Sequence, residues 1–279
     1  MLSSGIPMAW ALRCKTTPVI MGILNVTPDS FSDGGRHWSV EDALGHARLM
    51  IEEGAEIIDV GGESTRPFSE PVTEKEELHR VLPVIERLHE IPGAFISVDT
   101  CKATVAREAL KAGAHMVNDI SGLTYDEAMA GVIAEYDAHA VIMHIKGTPR
   151  NMQENPRYDD VIGEIREFLH ERVEYAVRSG IDREKIVVDP GIGFGKRVED
   201  NLRILKMIGA FRELGRPVLI GTSMKSFIGK LTDMPLEERV EGTLASLAVA
   251  IMNGADVLRV HDVRRAKKVL KIVKAVMEA

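Results

Sequence analysis

The stretch Lys-Ile-Val-Val-Asp-Pro-Gly-Ile-Gly-Phe-Gly-Lys, from Lys185 to Lys196, decides the fold. Its β-branched run, Ile186 to Val188, predicts a strand buried on both faces. The run ends on Asp189, and Pro190 and the glycines at 191, 193 and 195 follow at once. An acid at the C-terminal end of a buried parallel strand, beside a loop whose glycines let another molecule approach the backbone, stands where α/β proteins place ligand chemistry. Alone, Asp189 reads equally well as a turn or cap residue. Recurrence of the pattern along the chain shifts the balance.

Upstream, apolar runs at Val19–Val26, Glu56–Val60, Ala94–Val98, His115–Val117 and Ala140–Met143 end on or beside Asn25, the Gly61–Pro67 loop, Asp99-Thr100, Asn118-Asp119 and His144. Downstream, Val218–Ile220 leads to Ser223 and Lys225, and Val257–Val260 carries Arg259 and leads to His261. Helical patterns fall between them: about Val40 to Glu53, then a helix opened by a Thr73/Glu76 capping box and running to His89. Others carry Val105, Ala109 and Leu110; Val161, Ile165, Phe168, Leu169 and Val173; and finally Val269, Leu270, Val273 and Val276. Strand and helix alternating eight times predict an α/β fold, a single (β/α)8 TIM barrel over residues 18–279, with a short N-terminal extension at 1–17. A doubly wound open sheet is the competing arrangement, because strand count alone does not close a barrel.

The 279 residues, 45% hydrophobic, suffice for one large core. Two cysteines, Cys14 and Cys101, have no metal-type spacing, which predicts a reduced, cytoplasmic protein. Met8 to Leu12 is apolar but far short of a secretion signal, and no membrane span is predicted. A net charge of −7, with both signs interleaved along the helices, argues against nucleic acid as a partner.

In a barrel the polar strand ends meet at one rim. Asp99, Asn118 and Asp189 offer acceptors suited to a planar heterocycle with several N–H groups. Lys225 complements a carbonyl oxygen or ring nitrogen. Arg259 and His261, two apart on a strand, share a face and with Asn25 and Thr65 suit an oxyanion such as phosphate. His144 and His261 lack the company of a zinc site. Gly191 to Lys196 matches neither a nucleotide P-loop nor a dinucleotide fingerprint.

Eight segments, in order, carry a resemblance: Met21–Gly35, Asp59–Pro67, Ser97–Thr100, Asn118–Gly122, Met143-His144 with Gly147-Thr-Pro149, Asp189–Lys196, Gly221–Gly229 and Arg259–Asp262. Together they resemble the motif series of the dihydropteroate synthase family, over nearly the whole chain from Val19. The resemblance implies a transferase of folate biosynthesis that joins p-aminobenzoate to a dihydropterin diphosphate. It implies pterin contacts from Asp99, Asn118, Ile120, Met143, Asp189, Lys225 and Arg259, with Asp99, Asp189 and Lys225 catalytic. It further implies diphosphate contacts from Asn25, Thr65, Arg259 and His261, Mg²⁺ at Asn25, and a p-aminobenzoate site shaped by Phe31, Arg66, Pro67, Phe194 and Ser226.

Two positions depart from the family pattern. Met224 stands where Arg is usual and Phe68 where a small residue is usual. If strand alternation persists, Met224 points away from Ser223 and Lys225; if the chain has turned, a contact to the closing loops is lost. The resemblance also suggests a homodimer through the helix carrying Val240, Leu244, Leu247 and Ile251 together with the last helix, positions that equally suit barrel packing. A pterin-dependent methyltransferase and a non-catalytic pterin-binding paralogue are the alternative functions.

Overall fold

A computed structural model describes residues 17–27 and 39–279. The extension at 1–17 therefore lies almost wholly outside the described residues, as does Phe31. Eight parallel strands form one sheet: β1 (Val19–Asn25), β2 (Ile57–Gly61), β3 (Ile96–Asp99), β4 (Met116–Asp119), β5 (His139–Met143), β6 (Ile186–Asp189), β7 (Leu219–Ile220) and β8 (Val257–Val260). Their order is β6-β5-β4-β3-β2-β1-β8-β7. A parallel bridge between Val188 and Val218 joins the two ends, and the Val188 N–H donates to the Pro217 carbonyl at 2.9 Å. That closure makes a barrel and excludes the open sheet. Most strands begin at or up to two residues after the start of their apolar runs, and β5 begins one residue before its run.

Period-2 alternation divides the strands' apolar residues between two cores. Val19, Met21, Ile57, Phe95, Met116, Val141, Val187, Leu219 and Val257, drawn from or beside every strand, fill the barrel's interior. Their neighbours, such as Ile20, Ile58, Ile96, Val117, Ile142 and Val188, pack outward against the helices. The interior plug is apolar at the N-terminal end, so polar inward residues begin only toward the C-terminal end.

The described helices are α1 (Val40–Glu52), α2 (Glu74–His89), α3 (Ala103–Lys111), α4 (Met129–Glu135), α5 (Val161–Arg178), α6 (Val198–Lys206), α7 (Gly209–Arg212), α8 (Ser226–Thr232), α9 (Val240–Met252) and α10 (Val263–Met277). The expected capping box at α2 is only half formed. The Thr73 hydroxyl accepts the Glu76 N–H at 3.2 Å, but the Glu76 carboxylate is taken by Arg80 one turn on. A complete box opens α1 instead, where Ser39 and Asp42 satisfy each other's backbone N–H. Gly45, inside α1, faces open space, so Gly45→Ala is expected to stabilise the fold by about 0.5–1 kcal/mol through helix propensity, measurable by chemical denaturation.

Two of the positions expected at a dimer face belong to the core. Leu247 and Ile251 of α9 are buried in the core, because α9 packs on α6, α8 and α10 and α10 packs on β1. Exposed apolar residues on these faces include Val249 and Met252 on α9, Ile272, Val276 and Met277 on α10, Leu202 of α6 and Leu231 of α8. Leu202, Leu231 and Val249 border a groove of about 320 Å³ between α6, α8 and α9.

Candidate active site

Side-chain parity gathers the site. Along β2, Ile57, Asp59 and Gly61 share one face; along β3 it is Ser97 and Asp99, on β4 Met116 and Asn118, on β5 Val141 and Met143, on β6 Val187 and Asp189, on β8 Val257 and Arg259. Because each set continues an interior residue, the polar members point inward at the C-terminal mouth. Register makes them neighbours: Asn25 pairs with Gly61, Gly61 with Asp99, Asp99 with Asn118, and Met143 with Asp189.

The contacts confirm a single cluster. Arg259 donates from Nη2 to Asp99 Oδ2 at 2.6 Å and from Nε to Asp59 Oδ2 at 2.7 Å. Asn118 Nδ2 donates to the same Asp59 oxygen at 3.0 Å. The Asp189 Oδ1 accepts the Gly191 N–H at 2.7 Å, which orients the carboxylate. Lys225 Nζ lies 3.9 Å from the centre of the Phe194 ring. Phe194, Ile120 and Met143 form one small apolar cluster with Met152, a flat-sided wall beside the polar groups. Near the mouth, Asn25 Oδ1 lies 3.5 Å from where a side chain on Gly61 would begin, an ordinary contact distance that places Asn25 against the end of β2. His261 Nδ1 meets Ser223 Oγ at 2.9 Å.

Two groups in the cluster escaped the reading of strand ends. Asp59 has no exposed surface and holds both Arg259 and Asn118. The parity of Ile57, Asp59 and Gly61 is the signal in the sequence that places Asp59 on the inward face. Lys196, also buried, donates to the Phe194 carbonyl at 2.9 Å and the His144 carbonyl at 3.2 Å, and meets His144 Nδ1 at 3.0 Å. It folds the glycine loop back under Asp189, and His144 is thus a structural acceptor facing that loop.

The second loop is not gathered in. Thr65 is half-buried, while Arg66 and Pro67 are exposed, and among the described residues no hydrogen bond ties any of the three to the cluster at the mouth. Its base is fixed all the same: Lys102 bridges Glu63 and Glu77, and Arg80 donates to the Gly62 carbonyl at 2.8 Å. Phe68 sits at φ 66° with 67% of its surface exposed, and its N–H reaches the Pro149 carbonyl at 3.0 Å. At Met224 the chain has already turned. Its φ is 59°, its N–H donates to Thr243 Oγ1 at 3.1 Å, and its sulfur lies 3.9 Å from that hydroxyl, toward α9 and away from the mouth. Ser226 opens α8 directly after Lys225.

Burial dominates the electrostatics. It pushes the Asp99 carboxyl up to about 7, against the pull of Arg259, and the Asp189 carboxyl up to about 6, against Gly191 N–H and Lys225. Burial lowers Lys225 to about 8, helped by Arg259, and Lys196 to about 7. A raised acid gives stability that is present below the unfolded value of 3.8 and lost as pH rises through its folded value. Asp189→Asn, with no charge to bury, is therefore expected to gain on the parent by about 3 kcal/mol in ligand-free stability between pH 4 and pH 8. Paired denaturant titrations at several pH values check this.

Such a mouth presents two carboxylates, a carboxamide, an arginine and a lysine beside a flat apolar wall, which suits a flat, nitrogen-rich ring. Comparison with known proteins agrees. Residues 21–261 match the family described as pterin binding enzyme. The dihydropteroate synthase of Bacillus subtilis (strain 168) is 49% identical over 267 residues, covering 96% of this chain and 91% of that protein. A Yersinia pestis dihydropteroate synthase solved with a sulfonamide drug complex superimposes with a TM-score of 0.90 at 43% identity, covering 94% of this chain and 95% of that one. The Xanthomonas albilineans enzyme in complex with 7,8-dihydropteroate gives a TM-score of 0.86 at 43% identity, with 95% of each chain covered. The fold and site thus define a pterin binding enzyme. Within that class, the chain belongs to the dihydropteroate synthase family.

Proposed function

We propose that the chain condenses p-aminobenzoate with (7,8-dihydropterin-6-yl)methyl diphosphate, giving 7,8-dihydropteroate and diphosphate, a transferase step of folate biosynthesis in the cytoplasm. The observation that carries this reading is the convergence of Asp99, Asn118, Asp189, Lys225 and Arg259 on one buried mouth. Asp189 accepts from the ring N3–H and 2-amino group, Asn118 meets the amino edge, and Asp99 lies near N8. Lys225 donates toward O4 and N5, and Ile120, Met143 and Phe194 pack against the ring system. Arg259 flanks the ring, and among the described residues its Nη1 makes no hydrogen bond, which leaves it available to an anion.

The methylene C–O bond breaks first, its electron pair leaving with the diphosphate. Positive charge then spreads from the methylene into the dihydropterin, where Asp99 and Asp189 as carboxylates stabilise it. The arylamine nitrogen attacks the methylene, forming the C–N bond and losing its proton to solvent. Asn25, Thr65, Arg259 and His261 hold the departing diphosphate. Phe31, Arg66, Pro67, Phe194 and Ser226 shape the arylamine subsite. With Arg66 and Pro67 exposed, that subsite needs the second loop to move inward.

No group of three His, Cys, Asp or Glu side chains gathers among the described residues, so Asn25 would give Mg²⁺ one oxygen donor, with substrate diphosphate and water supplying others. Bound there, it would neutralise charge on the leaving group. For the assembly, the exposed Leu202, Leu231, Val249 and Met252 favour a homodimer centred on α6, α8 and α9. Light scattering that shows a monomer at working concentration would remove it. None of the described helices is long and apolar enough to cross a membrane.

Because both carboxylates must be ionised to accept from the ring, pterin affinity is expected to rise from pH 5 to about pH 7, by up to about a hundredfold per pH unit below both pKa values and about tenfold per unit between them, and to level off toward pH 8 as Lys225 loses its proton. Calorimetry across that range checks it. The reaction itself is tested by mixing both substrates and following diphosphate release and labelled p-aminobenzoate incorporation. Release that requires both substrates supports the synthase. Tight pterin binding without release favours the binding-only paralogue, and methyl transfer from a folate favours the methyltransferase.

A further inference from the structure

We infer that Asp59 is a positioning residue that fixes which way the Asn118 amide faces, and thereby sets the pocket's preference for a ring with a donor at its 2-position. The inference rests on the pterin reading above and extends it to a residue that does not itself reach the ring. Asp59 has no exposed surface, and one of its oxygens, Oδ2, receives both Arg259 Nε at 2.7 Å and Asn118 Nδ2 at 3.0 Å.

A carboxamide has two orientations of nearly equal shape, which exchange a donor for an acceptor. What chooses between them is the neighbour. An ionised carboxylate only accepts, so the Asn118 N–H side must face Asp59 and the carbonyl oxygen must take the other side. That oxygen makes no hydrogen bond among the described residues, and it is absent from the sealed polar atoms that lack partners. It is therefore open to the mouth, beside Asp99, its neighbour in register. The pocket then shows acceptors at Asp99, Asn118 and Asp189, a set that fits N–H groups along one ring edge. Turned over, Asn118 would present a donor toward an amino group, which repels, or toward a carbonyl, which binds.

Arg259 is locked by the same oxygen. Its guanidinium spans Asp59 and Asp99, so its orientation, like that of Asn118, depends on a group one residue pair deeper in the barrel. Asp59 Oδ1 and the Ser97 hydroxyl, opposite each other in register, are both sealed without partners. Burying an unpartnered carboxylate oxygen is costly, and the fold bears that cost where the carboxylate orients two site residues at once.

The experiment compares 6-hydroxymethylpterin with its 2-oxo analogue by calorimetry on the intact chain. The parent is expected to prefer the 2-amino ring. In Asp59→Asn the neutral amide can both give and accept, which frees Asn118 to turn over. The preference is then expected to shrink by on the order of tenfold or more, through a selective gain or smaller loss for the 2-oxo ring. Uniform weakening of both ligands with the preference intact would mean that Asp59 is merely structural, and would overturn the inference alone. A parent chain that binds neither ring would sink the pterin reading and this inference together. If Asp59→Asn does not fold, the ¹⁵N-labelled parent still decides. One Asn118 side-chain proton is expected to exchange slowly because a carboxylate holds it, and free exchange of both would overturn the inference.

Discussion

Asp189→Ala is expected to abolish measurable pterin binding, with Kd raised on the order of a hundredfold to ten-thousandfold. The carboxylate is 6% exposed and is oriented by the Gly191 N–H, so it meets a ligand with little rearrangement. Two N–H groups on the ring lose their acceptor in the variant. Hydrogen bonds to a charged group are worth about 1.5–3 kcal/mol each, so losing two costs about 3–6 kcal/mol. Lys225 and Lys196, whose charges Asp189 offsets, are left without that counter-charge, which further disfavours a ring that needs Lys225 protonated. Calorimetry at concentrations that saturate the parent should show no heat of binding. Unchanged affinity would mean that the ring sits elsewhere and that the mouth has been misread.

The barrel was legible because burial on both faces writes itself as short β-branched runs, and each run here ended on a polar residue. The mouth was legible for the same reason, since Asp99, Asn118, Asp189 and Arg259 all lie at strand ends that parallel pairing must bring together. Asp59 was passed over because it lies two residues inside the strand end, where a polar residue in an apolar run looks like noise unless parity is counted. Lys196 was hidden differently. Nothing in a glycine-rich loop tells which way its last side chain folds, and only the carbonyls of Phe194 and His144 show it turned inward. Which apolar residues of α9 stay exposed was not legible, because an apolar stripe on a helix does not say which side meets the barrel, so Leu247 and Ile251 read the same as Val249 and Met252 until packing separates them. The exposure of Arg66 and Pro67 was likewise beyond reach, because a loop's resting position depends on tethers such as Phe68 to Pro149 that join segments distant in sequence.

Gly191→Ala is expected to cost about 3 kcal/mol or more in stability and to weaken pterin binding with it. Gly191 has φ 71°, a conformation that costs an L-residue about 1–2 kcal/mol. Its added Cβ would also lie 2.0 Å from the His144 carbonyl oxygen, a backbone atom that cannot swing aside. That carbonyl accepts from Lys196, and Gly191's own N–H orients Asp189, so relief of the clash disturbs both ends of the loop. Gly215 supplies the comparison: its φ is 69°, but nothing lies within 4 Å of the added atom. Gly215→Ala should therefore show the backbone cost alone, about 1–2 kcal/mol, and leave pterin affinity unchanged. The excess at Gly191, read as the difference between the two denaturant midpoints, measures how firmly the loop is packed on His144. If the two variants lose equally and both still bind the ring, Asp189 is not held by this loop, and the account of how the carboxylate is aimed fails.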